Sequence, residues 1–137
     1  MTSNGVKKDF KKWHDKKRHV HNERPRVHFH VREIWFCYLG ENVGFEQDGT
    51  ADEFLRPVVV LKKFNRDILF AVPLSKHTKK DANKPFYFKF SFQKGVSSMA
   101  LLSQLRLIDA KRLKYKTGNI SEKDFKDLKA KIRRLIA

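Results

Sequence analysis

Arg56-Pro57-Val58-Val59-Val60-Leu61-Lys62-Lys63-Phe64-Asn65-Arg66-Asp67-Ile68-Leu69-Phe70-Ala71-Val72-Pro73-Leu74 is the stretch on which the fold turns. Arg56–Leu61 and Ile68–Leu74 are short runs of branched and aromatic residues, and Asn65-Arg66-Asp67 between them is turn chemistry, so the pair reads as a β-hairpin. Pro57 is tolerated because it stands at the start of its strand. Upstream, Val31–Tyr38 carries the same strand signal, followed by a loop from Gly40-Glu41-Asn42-Val43-Gly44 through Glu46-Gln47-Asp48-Gly49 to Leu55. Downstream, a polar loop over Ser75–Lys84 precedes Pro85–Phe92. There Phe86, Phe88, Phe90 and Phe92 alternate with Tyr87, Lys89 and Ser91, the period of two expected of a strand with one buried face. Lys94-Gly95 turns the chain into two more short strands, Ser98–Leu102 and Leu105–Ile108. A C-terminal helix follows, capped by Ser121 with Asp124 three residues on, its apolar face made by Phe125, Leu128, Ile132, Leu135 and Ile136. Many short strands, a tight hairpin and a terminal helix describe a mainly β fold, a small barrel with helical additions.

The 137 residues divide by composition into a basic extension, residues 1–30, and a body, residues 31–137. In the extension Val6, Phe10, Trp13 and Val20 fall on one face of a helix that Glu23-Arg24-Pro25-Arg26 terminates. Two compatible readings stand side by side: a helix docked by Phe10 and Trp13 with a solvated basic face, and an arm that contacts RNA. Over the whole chain 31 Lys+Arg oppose 15 Asp+Glu, a formal charge of +16, which favours a polyanionic partner because bound cations release counterions from phosphates. The apolar stretches Val58–Leu61 and Ile68–Val72 are far too short to span a bilayer, and the charged N-terminus has no apolar core of a secretory signal. A single cysteine, Cys37, suits a reducing cytoplasm and reads as a small structural strand residue.

Three motifs are more specific. Gly44-Phe45-Glu46-Gln47 follows the aromatic strand Arg32-Glu33-Ile34-Trp35-Phe36; Arg56-Pro57-Val58-Val59-Val60-Leu61 comes next; Leu101-Leu102-Ser103-Gln104-Leu105-Arg106-Leu107-Ile108-Asp109 runs on to Arg112-Leu113. In this order, and with a C-terminal helix, the chain resembles the MazF/PemK toxins over about Val31–Ala137. Family members show a Gly-Asp-Ile-Trp-like strand, Gly-x-Glu-Gln, Arg-Pro-Val-Val-Val and a Leu-x-Gln-x-Arg-x-Ile-Asp-x-x-Arg-Leu segment. The resemblance implies an SH3-like barrel of six or seven strands, of the type shared with CcdB, forming a homodimer. It implies a cytoplasmic endoribonuclease that cuts single-stranded RNA in a groove at the dimer interface, with neither metal nor other cofactor, and that is restrained by a cognate antitoxin whose flexible tail occupies that groove.

The chemistry fits such residues. RNA brings its own nucleophile, the 2′-hydroxyl, so the enzyme must align it, stabilise charge on the phosphoryl oxygens and assist proton transfer. Arg56 forks onto phosphate oxygens, and the family also uses it to protonate the leaving oxygen; the plain alternative is a strand-start arginine paired with Glu46 or Glu53. Ser75 stands where the family usually has threonine, keeping the hydroxyl donor but losing the methyl that fixes its rotamer. Glu46 with Gln47 is expected to shape the groove and hydrogen-bond bases or the 2′-hydroxyl, and Glu46 alternatively acts as a base or orients Arg56. Gly44, Phe45, Gln47, Lys76, His77, Ser103 and Gln104 complete the expected RNA-binding set, with Gln104 a base reader on a strand or a strand amide satisfying a loop carbonyl. His77 is also placed to assist proton transfer. Asp109 reads as the cap of the turn Ala110-Lys111-Arg112. Eight residues, Asp48 to Leu55, separate Gln47 from Arg56, where shorter members have only a few.

Other readings remain open. Five of the six histidines lie in the N-terminal segment, and His28 with His30 would share a strand face, but a zinc site lacks a defined third ligand. The phenylalanine stripe is either barrel core or a base-stacking platform. Outside the ribonucleases stand a non-catalytic RNA-binding barrel, including a degenerate toxin, and a gyrase poison like CcdB.

Overall fold

A computed structural model describes residues 8–40, 54–76 and 84–136. Helix α1 (Phe10–Glu23) is followed by strands β1 (Glu33–Tyr38), β2 (Leu55–Lys63), β3 (Ile68–Ser75), β4 (Tyr87–Gln93) and β5 (Val96–Leu101). A 3-10 turn (Leu102–Gln104), β6 (Arg106–Asp109), a second 3-10 turn (Ala110–Arg112), β7 (Leu113–Asn119) and helix α2 (Glu122–Ile136) complete the order. The expected hairpin is β2–β3, antiparallel with Val58 opposite Pro73 and Val60 opposite Ala71.

The strands form one antiparallel sheet in the order β4-β5-β3-β2-β1-β7, with β6 on β3. Two strands share the outer edge of β3: β6 along Ile68–Ala71 and β5 along Leu74–Ser75. Pro73 falls at the changeover, where an interrupted ladder tolerates a residue without an N–H.

The unbroken valine run is explained by burial on both sides of the sheet, as a central strand requires. Val58 and Val60 enter one core with Phe29, Trp35, Cys37, Leu69, Ala71, Ile108 and Leu113. Val59 enters the other, with Ile34, Val72, Leu74, Ala100 and the Phe125, Leu128 and Ile132 face of α2. The phenylalanine stripe serves this second core: Phe90 is buried and Phe86, Phe88 and Phe92 pack against it.

The barrel expectation holds in strand content, but the ladder is not closed. Its ends, β4 and β7, meet instead by packing, where a Cβ on Gly118 would lie 2.7 Å from the Phe92 ring. Strand β7 itself was not expected. Lys114-Tyr115-Lys116-Thr117 has no apolar alternation, because this edge strand buries little beyond Leu113.

The C-terminal helix starts as read, with the Ser121 Oγ accepting from the Asp124 N–H at 3.1 Å. Its last turn overhangs the body, leaving Ile136 75% exposed and Leu135 outside the apolar contact. On α1, Asp9 caps the N-terminus and Trp13 and Val20 are buried, whereas Phe10 is 52% exposed and does not dock the helix. No helix among the described residues is long and apolar enough to cross a membrane.

Candidate active site

Strand alternation decides which side chains share a face. Cys37 pairs with Arg56, and Val58 with Pro73; carried two residues further, the β2–β3 register sets Arg56 opposite Ser75. Ala71 pairs with Arg106 on β6, one alternation from Ile108. Arg56, Ser75 and Arg106 therefore lie on the face that Cys37, Val58, Ala71 and Ile108 build, at the end where that core gives way to solvent.

Arg56 is partly buried, and its Nη1 donates to the Leu74 carbonyl at 3.1 Å. This bond ties the guanidinium to the residue before Ser75. The half-buried Ser75 pairs with Met99 on β5, and Lys76 projects into solvent just beyond the strand end. The structure thus brings together the arginine and the hydroxyl that the sequence nominated.

Ser103 and Gln104 are placed differently from expectation. Gln104 lies on the 3-10 turn Leu102–Gln104, not on a strand, because the chain must leave β5 and reverse onto β6 along the same edge of β3. The turn is held by the Leu102 N–H on the Phe86 carbonyl at 2.9 Å, with Ser103 exposed and Gln104 half-buried. Gly44, Phe45, Glu46, Gln47 and His77, with the Glu53 alternative, lie outside the described residues.

The electrostatics of this end are cationic. Burial lowers the Arg112 guanidinium below its ordinary range, the nearby charge of Arg106 adding to the effect. Arg112 donates to the Tyr38 carbonyl at 3.0 Å. Burial pushes the Cys37 thiol up to about 12 although Arg112 and Arg106 act against the rise, so Cys37 is an inert core thiol, as read. Asp109 does cap its turn, accepting from the Lys111 N–H at 2.8 Å, and it also takes both arms of Arg26 at 3.0 and 2.8 Å. Burial pushes its carboxyl up, but the Arg26 bonds and the Lys111 N–H hold it below the usual carboxylate range.

Such an arrangement suits a phosphate. A guanidinium anchored at a strand end puts a charged, directional group beside a hydroxyl donor, and a second arginine on the same face raises the local potential. Arg106 was quoted within its motif but given no role. The signal for it was present: in Arg106-Leu107-Ile108 a charge occupies the core parity of its strand, while Leu107 faces solvent.

The sequence matches the family model of PemK-like, MazF-like toxins of type II toxin–antitoxin systems over residues 30–136. No curated protein matches it. Among solved structures it is similar to MazF from Deinococcus radiodurans, at 17% identity and a TM-score of 0.58 over 84% of this chain and 98% of that one. It is also similar to a chain of the MazE–MazF structure from the same organism, at 15% identity and a TM-score of 0.52 over 85% and 98%. At these identities the structures speak for the fold.

Proposed function

The chain belongs to the MazF/PemK toxin family of type II toxin–antitoxin systems, and on that premise we propose that it is a sequence-selective endoribonuclease that cleaves single-stranded RNA without a metal. The observation that carries this reading is the anchoring of Arg56 to the Leu74 carbonyl, beside Ser75 and on the same face. In the reaction the 2′-oxygen of the substrate bonds to phosphorus as the bond to the 5′-oxygen breaks. The 2′-hydroxyl proton leaves to a base, for which Glu46 is the candidate, and the departing 5′-oxygen gains a proton. Arg56 and Ser75 stabilise the charge that gathers on the phosphoryl oxygens, and Arg106 adds to the potential there. Gly44, Phe45, Gln47, Lys76, His77, Ser103 and Gln104 hold the RNA. The products carry a 2′,3′-cyclic phosphate and a 5′-hydroxyl.

The body, residues 31–137, works as a homodimer in the cytoplasm, where its RNA is found, and an antitoxin restrains it. Support for that partner is the family itself and the likeness to a chain from a MazE–MazF structure. The basic extension, residues 1–30, adds non-specific phosphate affinity.

The test is incubation of the purified protein with a long single-stranded RNA in EDTA, followed by mapping of the ends. Cuts at a recurring short sequence, absent with Arg56→Ala, support the proposal. Tight binding without cuts moves the assignment to a degenerate, binding-only toxin, a reading that the serine at position 75 favours. Rescue of growth by a resistant gyrase would identify a CcdB-like poison instead.

A further inference from the structure

Helix α1 precedes the residues that match the family, yet it is built into the strand ends that carry Arg56. Trp13 is buried and stands tilted against Phe54, with ring centroids 5.4 Å apart. Leu55 packs on the same cluster, so the two residues before Arg56 both belong to the apolar seam that Trp13 and Val20 of α1 enter. Phe54 has a positive φ of 60°, and its carbonyl accepts from the Leu39 and Gly40 N–H groups at 3.0 and 3.1 Å, locking the end of β1 to the start of β2. Beneath the indole lies Gly40, so close that a Cβ there would be 1.8 Å from Trp13 Cε2.

The Arg112 guanidinium also sits 5.8 Å from the Trp13 ring while donating to the Tyr38 carbonyl. Tyr38 is the register partner of Leu55, as Cys37 is of Arg56. Arg24, just past the helix, reinforces the seam by lying 5.2 Å over the Tyr38 ring and donating to the Leu113 carbonyl at 2.8 Å.

From this we infer that Trp13 is a positioning residue for Arg56: α1 acts as a wedge that sets the start of β2, and through it the place of the guanidinium. The inference rests on the ribonuclease reading. It gives the extension a part in turnover, separate from any contact of its basic face with RNA. Displacing a catalytic group by about 1 Å can lower a rate on the order of a hundredfold, so loosening the wedge acts on the chemical step.

The experiment compares full-length wild type, Trp13→Ala, Trp13→Phe and Phe10→Ala in single-turnover cleavage at saturating RNA, with RNA affinity measured across salt concentrations. All are assayed at a temperature where near-ultraviolet circular dichroism shows them folded. Trp13→Ala should lower the rate by roughly tenfold or more while affinity and its salt slope stay within about twofold of wild type. Trp13→Phe should restore most of the rate, and Phe10→Ala, at the exposed first turn of the same helix, should leave it unchanged. A wild-type rate in Trp13→Ala overturns the inference, as does a loss confined to affinity, which would make α1 an RNA arm alone.

If Trp13→Ala fails to fold, Trp13→Leu, which keeps part of the buried apolar volume, carries the same comparison with an intermediate loss of rate. Hydrogen exchange at the Leu55, Arg56 and Val58 amides separates this inference from the ribonuclease reading. If wild type binds RNA but never cuts, the ribonuclease reading fails alone. Faster exchange at those amides in the folded variants then upholds the wedge, and unchanged exchange overturns it.

Discussion

Gly40→Ala tests the wedge by a route that leaves the tryptophan in place. Two effects add. At φ +73° an alanine is in the left-handed region, which disfavours a side chain by about 1 kcal/mol. The new Cβ would also overlap the indole, with three Trp13 ring atoms between 1.8 and 2.2 Å away. No rotamer adjustment of a few tenths of an ångström relieves that, so the ring must leave its slot. Losing a buried tryptophan costs about 3–5 kcal/mol, and Gly40→Ala should therefore approach about 4 kcal/mol, against about 4 for Trp13→Ala. With the indole already absent, only the backbone penalty remains, so the double variant should cost about 5 kcal/mol rather than about 8, a coupling of about 3. Urea unfolding at one fixed protein concentration reads all four corners of this cycle. Additivity within about 0.5 kcal/mol would refute the reasoning, because it would mean that Gly40 and Trp13 do not share the slot.

Arg56→Ala should reduce cleavage by roughly a hundredfold or more with little change in the midpoint of unfolding, since the side chain is only partly buried, at the rim of the core; rates and urea curves on one preparation check both. The folded carboxyls of Glu33 and Asp109 are held below their ordinary range despite burial, Glu33 by the Trp35 ring N–H, the His30 N–H and Lys116. Their contribution to stability is thus complete above the unfolded carboxylate pKa near 4 and is lost as pH falls through the lower folded values. Asp109→Asn should flatten that acid limb in unfolding curves taken across pH, and an unchanged limb would deny the Arg26–Asp109 clamp a stabilising role. Cys37, buried with a thiol pushed up to about 12, should resist alkylation at pH 8 until denaturant exposes it, as mass spectrometry of native and unfolded samples would show. Exchanging Lys11, Lys12 and Arg18 together for glutamine should lower the salt slope of RNA binding by up to about 3, without altering the saturated cleavage rate.

What was legible in the sequence is what local pattern controls. The hairpin follows from two β-rich runs around Asn65-Arg66-Asp67, and the Asn65 side chain does accept from the Asp67 and Ile68 N–H groups at 2.7 and 3.0 Å. Ser121 and Asp109 cap the turns they were expected to cap. Illegible features depend on where the body ends. Periodicity puts Phe10 with Trp13, and Ile136 with Ile132, on common stripes, but it cannot say how far along each stripe the partner surface extends. Strand β7 is held by its ladder to β1 and has almost no apolar code of its own. Within the site, Arg56 and Ser75 were legible because each sits in or beside a motif. Arg106 was visible only as a parity argument, which needs the bounds of β6. The pairing of Gly40 with Trp13 was not legible at all, since nothing local to either residue requires the other.

Rigidity and charge are delivered to this site by different parts of the molecule. Arg56 stands at the start of β2, the strand with Val58–Val60 buried on both faces and ladders on both edges. Downstream of it the strand is buried and laddered on both edges, while its upstream neighbour Leu55 is paired with Tyr38 and packs on the cluster of Trp13, Tyr38 and Phe54. On the proposed reading, the arginine so placed is set by a buried strand on one side and by the α1 seam on the other. The same helix turns Lys11, Lys12 and Arg18 outward, away from Trp13 and Val20. Because the wedge and the basic face lie on opposite sides of one helix, substitutions can remove either without the other. A chain in which both were lost together on any single outward substitution would have to be transmitting its RNA contacts through the helix itself, and neither account given for the extension would survive that result.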